Sequence, residues 1–154
     1  PFKQISLKNI VRLLYKTYNR IEKYSEIPSF DENEEKIYKG EFAILPPHQL
    51  FESWDRQGVL LLNTYLTCER GISNSHREIW GDFAVEIIRY IVKKNPSTNW
   101  FLWGREANQY SYLLPQSRIY KSRHPMMCGE SYVNDFLKSD CFKKTMDKIN
   151  WLGV

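Results

Sequence analysis

Leu7, Ile10, Val11, Leu14, Tyr18 and Ile21 recur at the three- and four-residue spacing of a helix face, which predicts an amphipathic helix with Ser6 as its N-cap. From Tyr24 to Pro47 the chain turns polar, and the acidic run Asp31-Glu32-Asn33-Glu34-Glu35 reads as a solvated surface excursion. Gly58-Val59-Leu60-Leu61-Leu62-Asn63 is a short, continuous apolar run, the pattern of a strand buried on both faces. Ser75-His76-Arg77-Glu78 has the form of a capping box. The helix it opens carries Trp80, Phe83, Ile87, Ile88 and Ile91 on one side and stops before Pro96. Trp100-Phe101-Leu102-Trp103-Gly104 is a second buried-strand pattern, and Arg118-Ile119-Tyr120-Lys121-Ser122 a third, weaker one running into His124-Pro125. A last helix is predicted over much of Val133 to Lys148, with Phe136, Leu137, Phe142 and Met146 inward.

Strand, helix, strand, connection, strand is the order of a parallel sheet with helical crossovers, so the expected class is α/β. Ligands in such sheets sit beyond the carboxyl ends of the strands. Asn63, Gly104 and His124 each fall at such an end, which makes them site candidates from pattern alone.

Composition narrows the setting. The 154 residues suit one domain, and a hydrophobic share of 42% is enough for a real core. No apolar run reaches the roughly 18 residues of a membrane span, and no signal-peptide pattern is present. A net charge of +4 permits a polyanionic partner without demanding one. Cys68, Cys128 and Cys141 show no Cys-x-x-Cys spacing, and His48, His76 and His124 are scattered. Neither a disulfide framework nor a metal site is expected, and a reducing, intracellular compartment is. The chain begins at Pro1 with no initiator Met, so we expect it to be processed, trimmed or one piece of something longer.

The strand ends and their neighbours resemble family 1 uracil-DNA glycosylase. The similarity runs from Ser6 to Trp151 and is densest between Trp54 and Pro125. The run from Trp54 to Thr67, with its Trp-x-x-Gln-Gly lead-in, is similar to the family's uracil-specificity segment. Asn74-Ser75-His76 resembles the turn before the next helix, and Phe101-Leu102-Trp103-Gly104 the strand ending in the Gly-Ser loop. His124-Pro125 resembles the opening of the DNA-intercalating loop, Ile149-Asn150-Trp151 the C-terminal Ile-Asp-Trp, and Ser6-Leu7-Lys8-Asn9-Ile10 the helix start after the proline-rich loop. That loop itself is represented only by Pro1 to Ser6. Six such pieces in order carry more weight than any one.

The resemblance implies a three-layer α/β fold, a short central parallel sheet flanked by helices. It implies an enzyme that flips uracil out of DNA and hydrolyses its N-glycosidic bond in base-excision repair. No cofactor is implied, since water and side chains suffice. Asn63 would read the base, because its amide sets a donor beside an acceptor, as uracil's O4 and N3–H require and cytosine's edge does not. The plainer reading is that Asn63 caps the strand end through backbone bonds. His124 would stabilise the negative charge left on uracil O2; alternatively it is a half-buried histidine satisfied by a loop carbonyl. Ser6, Gly104, Arg105, Pro125, Met126, Met127 and Cys128 would contact DNA. Arg105 replaces the serine of the Gly-Ser loop, and Met126-Met127-Cys128-Gly129 stands where the family has Ser-Pro-Leu-Ser. Cys128 matches the intercalating leucine but is a shorter lever, so Met126 or Met127 is the alternative plug.

The family's water-activating motif Gly-Gln-Asp-Pro-Tyr-His occurs nowhere in these residues. Its strand lies mid-sheet in the family, between the counterparts of Val59–Asn63 and Phe101–Gly104. The chain is therefore expected to be one domain, residues 1–154, lacking its N-terminal part and its central strand, and a poor glycosylase alone. The strand would come from an N-terminal segment, a second chain or a cleaved fragment. Further expected partners are DNA-mimicking inhibitors and replication proteins. The alternative function is an inactive adaptor on the same scaffold, binding DNA or serving replication processivity.

Overall fold

In the computed structural model, which describes residues 3–154, helix α1 spans Ile5–Tyr18. Ser6 is not its cap. The cap lies two residues earlier, at an extended Gln4, and the Lys8 amide donates to the Gln4 carbonyl at 3.1 Å. Ser6 lies half-buried in the first turn. Of the Pro1 to Ser6 stretch, Pro1 and Phe2 lie outside the described residues.

The chain divides into two compact units, Pro1–Leu60 with Ser122–Val154, and Leu61–Lys121. In the first, α1 buries Ile10, Val11, Leu13 and Leu14. The expected polar excursion instead contains a second helix, α2 (Phe30–Tyr38), opened by a complete capping box between Ser29 and Glu32. Its acidic residues are exposed, but Asn33 is 0% exposed and neither side-chain polar atom has a hydrogen-bond partner among the described residues. A buried polar group without a partner costs about 1–3 kcal/mol, so Asn33→Leu is expected to raise stability by that order. A urea titration showing a lower midpoint for this variant would contradict the assignment.

Helix α3 (Pro47–Arg56) begins with a proline at its first position, where the missing N–H is no loss. It ends in a Schellman turn: the Val59 amide donates to Trp54 O at 2.9 Å and Gly58 to Asp55 O at 2.9 Å. Gly58 needs its φ of +86° there, a region that favours glycine. The Trp-x-x-Gln-Gly lead-in thus acquires a structural reason. Trp54 Nε1 donates to Trp151 O at 3.1 Å, and Gln57 exchanges two bonds with the Asn150 backbone. The sequence-distant Trp54 and Trp151 rings meet edge-on at 5.3 Å, with Phe142 beside both.

The predicted C-terminal helix does not form. Phe136–Lys138 is one 3-10 turn, and residues 141–148 are successive turns. Thr145 Oγ1 donates to Cys141 O and accepts from Trp151 Nε1, a side-chain alternative to a regular helix. Phe136, Leu137 and Phe142 are inward as expected, whereas Met146 is exposed.

In the second unit, α4 covers Arg77–Lys94. Ser75 does not cap it: its hydroxyl accepts from the Glu69 amide at 2.6 Å, and His76 precedes the helix. Ala84 and Ile88 are the buried face of α4, while Phe83 is exposed, so the expected apolar side is displaced. They pack with Leu102, Tyr110 and Leu114. Strand β1 (Trp100–Trp103) and strand β2 (Ile119–Ser122) fall where the sequence places them. They pair in a short parallel sheet flanked by helices, an α/β arrangement. The short helix α5 (Arg105–Asn108) begins the crossover between them.

The expected first strand is the principal departure. Residues 59–63 join no ladder, and Leu60, Leu61 and Leu62 are 65%, 54% and 41% exposed. Three consecutive exposed leucines contradict a strand buried on both faces. No helix among the described residues is long and apolar enough to cross a membrane.

Candidate functional site

Two clusters of the expected site residues form, one in each unit. In the second unit Asn63 is exposed and opens a shallow cleft of about 290 Å³ that continues through Tyr65 and Thr67 to Asn74. The segment after Asn63 is tied to the end of β1. Tyr65 Oη donates to Glu106 Oε2 at 2.9 Å and accepts from Gln109 Nε2 at 3.0 Å. These bonds dock the Asn63 segment on α5, which follows Gly104. Gly104 has φ +93°, so the turn favours glycine there. Arg105 carries a largely exposed guanidinium whose bond to Glu106 is 3.3 Å long. Thr67 Oγ1 accepts from Trp80 Nε1 at 2.7 Å and bonds His76 Nδ1 at 2.8 Å, which fixes the cleft's far wall.

In the first unit the loop His124–Gly129 is built on itself. The Met126 amide donates to His124 Nδ1 at 3.1 Å, and the Met127 amide to His124 O at 2.9 Å. With Nδ1 accepting, the neutral ring carries its proton on Nε2. Partial desolvation lowers the His124 pKa although the side chain remains exposed. The ring is thus neutral at pH 7, with one N–H donor uncommitted to this bond. A ¹⁵N titration is expected to show Nε2–H as the neutral form, with a midpoint below the ordinary value of about 6.5. The unfolded chain then takes up this proton first, so His124 costs stability as pH falls below about 6.5 and costs none above it. A midpoint above 6.5 would contradict the geometry.

Pro125 is buried, and its carbonyl accepts from Asn9 Nδ2 of α1 at 2.6 Å, so the helix that contains Ser6 also fixes this loop. Cys128 is turned inward: its Sγ donates to the same carbonyl at 3.3 Å, and burial pushes its pKa up to about 11. The thiol is therefore a protonated brace. Met126 and Met127 are the exposed apolar tips of the loop.

Asn9, Tyr65, Glu106 and Asp135 were not among the sequence candidates, although each bonds a candidate or the segment that carries one. Asn9 lies inside the family-like Ser6–Ile10 stretch, a signal that was present. Asp135 gave none, since it falls inside the predicted helix; its carboxylate accepts from the Gly129 amide at 2.7 Å.

The chain is 35% identical over 113 residues to the uracil-DNA glycosylase of Alkaliphilus metalliredigens, a match covering 71% of this chain and 49% of that protein. It is 34% identical over 113 residues to the uracil-DNA glycosylase of Buchnera aphidicola subsp. Cinara cedri, covering 68% and 50%. It is 38% identical over 106 residues to that of Clostridium perfringens, covering 67% and 46%. The chain thus spans about half the length of the curated relatives it matches. No family model and no solved structure matches it significantly.

Proposed function

Because the chain belongs to the uracil-DNA glycosylase family over the matched part of its length, we propose that it supplies the base-reading and base-stabilising part of an enzyme that hydrolyses uracil from DNA. The observation that carries this reading is the His124 ring, held by the Met126 amide so that Nε2–H is the donor. In the reaction the glycosidic C1′–N1 bond breaks and its electron pair stays with the base, delocalised onto O2. Water adds hydroxide to C1′ and supplies the proton that makes uracil. A fixed N–H aimed at O2 lowers that barrier because it meets charge only as it develops. Asn63 selects the base by its paired donor and acceptor, since a cytosine would leave buried polar groups unmatched. Met126 and Met127 fill the space the extruded base vacates, and Arg105, the Gly104 turn and Ser6 meet the backbone. Mimics of DNA and replication proteins are partners of the same class.

The reading also includes a β-strand supplied beyond these residues and lying against the run 59–63. Its support is the exposure of Leu60, Leu61 and Leu62 together with the half-length match. Covering one such leucine yields about 1.5–3 kcal/mol, so the added strand is well rewarded. The exposed thiol of Cys68 suits a reducing, intracellular setting.

The test uses protein purified from its native source and single-stranded DNA containing uracil, with alkali-labile abasic sites as the readout. Sites at uracil positions that disappear in Asn63→Asp support the reading. Tight DNA binding without any abasic sites would replace it with an adaptor on the same scaffold.

A further inference from the structure

The His124–Gly129 loop is closed at both ends by residues from a single stretch further along the chain. At its start the Arg123 amide donates to Asn134 O at 2.8 Å. At its end the Gly129 amide donates to Asp135 Oδ2 at 2.7 Å. The other oxygen of Asp135 accepts from the Leu137 amide at 2.9 Å and from Tyr24 Oη at 3.2 Å. Asp135 is 1% exposed, and a charge so placed persists only when its oxygens are occupied by donors. Burial, followed by the charge of Asp135, pushes the Tyr24 phenol well above its ordinary pKa, which keeps its hydroxyl a donor.

The cost of burying this carboxylate is not explained by capping the 3-10 turn at Phe136–Lys138. The bond to Leu137 alone would do that, and a serine would serve. The second oxygen is committed to the loop. Charge-assisted bonds of this length are roughly twice as strong as neutral ones and fix direction. The Gly129 amide therefore has one position, and the turn between Arg123 and Gly129 has a fixed span. Within that span the Met126 amide reaches Nδ1 of His124.

We propose that Asp135 is the positioning residue of the His124–Gly129 loop, holding the turn in which His124 presents Nε2–H as its donor. The proposal rests on the reading of His124 as the donor to the leaving base. It adds that the residue fixing the ring's tautomer lies eleven positions away in sequence and never touches the base. The arrangement resembles the orientation of a reactive imidazole by an outer partner, with a backbone amide as the intermediary.

Two variants separate this role from simple capping. Asp135→Ser keeps a short acceptor for the Leu137 amide but cannot reach Gly129, and Asp135→Asn confronts one of its donors with an NH₂ group. In both, the Gly129 amide is expected to exchange with solvent about tenfold faster. The His124 ring, read by ¹⁵N NMR, is expected to lose its single Nε2–H signature and show both tautomers. A serine variant with the turn intact and a released Gly129 amide, but an unchanged His124 spectrum, overturns the proposal. Should neither variant fold, Tyr24→Phe decides: it removes one of three donors and is expected to shift both readouts the same way by less. No change in either readout would then count against the proposal. These measurements use no DNA, so a protein unable to excise uracil would leave them fully interpretable.

Discussion

His124→Ala is expected to slow uracil release by about a hundred- to a thousandfold, the usual effect of deleting one preorganised donor to a developing oxyanion. The loss should fall on kcat with little change in KM, because the bond strengthens only as charge reaches O2. The fold should survive. His124 is exposed, and the bond it gives up is the one from the Met126 amide, worth about 1 kcal/mol. A single-turnover assay separates these effects from product release. A rate reduced less than threefold would show that the leaving base is stabilised by some other group.

Trp54→Ala is expected to cost about 3–5 kcal/mol, the range for removing a buried aromatic side chain. Trp54 is 1% exposed, and its indole joins α3 to the C-terminal residues through Trp151 O. Phe142 and Trp151 would both lose a ring contact, and the carbonyl of Trp151 would lose its donor. Against a total stability of about 5–15 kcal/mol, the loss is a third or more of the whole. Denaturant unfolding followed by tryptophan fluorescence measures it. Trp54→Phe, which keeps a ring but not the N–H, should recover a substantial part. A loss below about 1 kcal/mol for the alanine variant would mean that Trp54 is not the link between these segments.

How legible the fold was depends on which interactions define each element. Strands β1 and β2 were readable because their burial and pairing arise within a short stretch of chain. Helix α4 was readable in extent but not in orientation. Its inward face is set by Leu102 and Tyr110, and periodicity carries no information about them. The run Val59–Asn63 carries the pattern of a buried strand without a strand to bury it. Its three leucines are exposed instead. The segment after Val133 failed for the opposite reason. Phe136, Leu137 and Phe142 are inward, but turns held by Asp135 and Thr145 place them.

The site shows the same division. Gly104 and His124 were legible as residues just past strands, whereas Asn63 was chosen on the same ground although residues 59–63 form no strand. What holds them was not visible, because Tyr65 with Glu106 and Asn9 with Pro125 are partners 41 and 116 residues apart. Substituting Cys128 for the family's leucine read as a weakened plug. The structure instead turns the thiol inward and leaves Met126 and Met127 outermost.

The proposed function is tested most directly at its two named residues, Asn63 for the base and His124 for the charge left on it. Both can be followed in a single NMR titration, through the Asn63 side-chain amide and the His124 ring nitrogens, as a single-stranded uracil-containing oligonucleotide is added to the native protein. The account predicts that the two sets of signals move together along one saturation curve, and that the matching cytosine strand moves them far less. Movement of only one residue, or equal movement with cytosine, would contradict it.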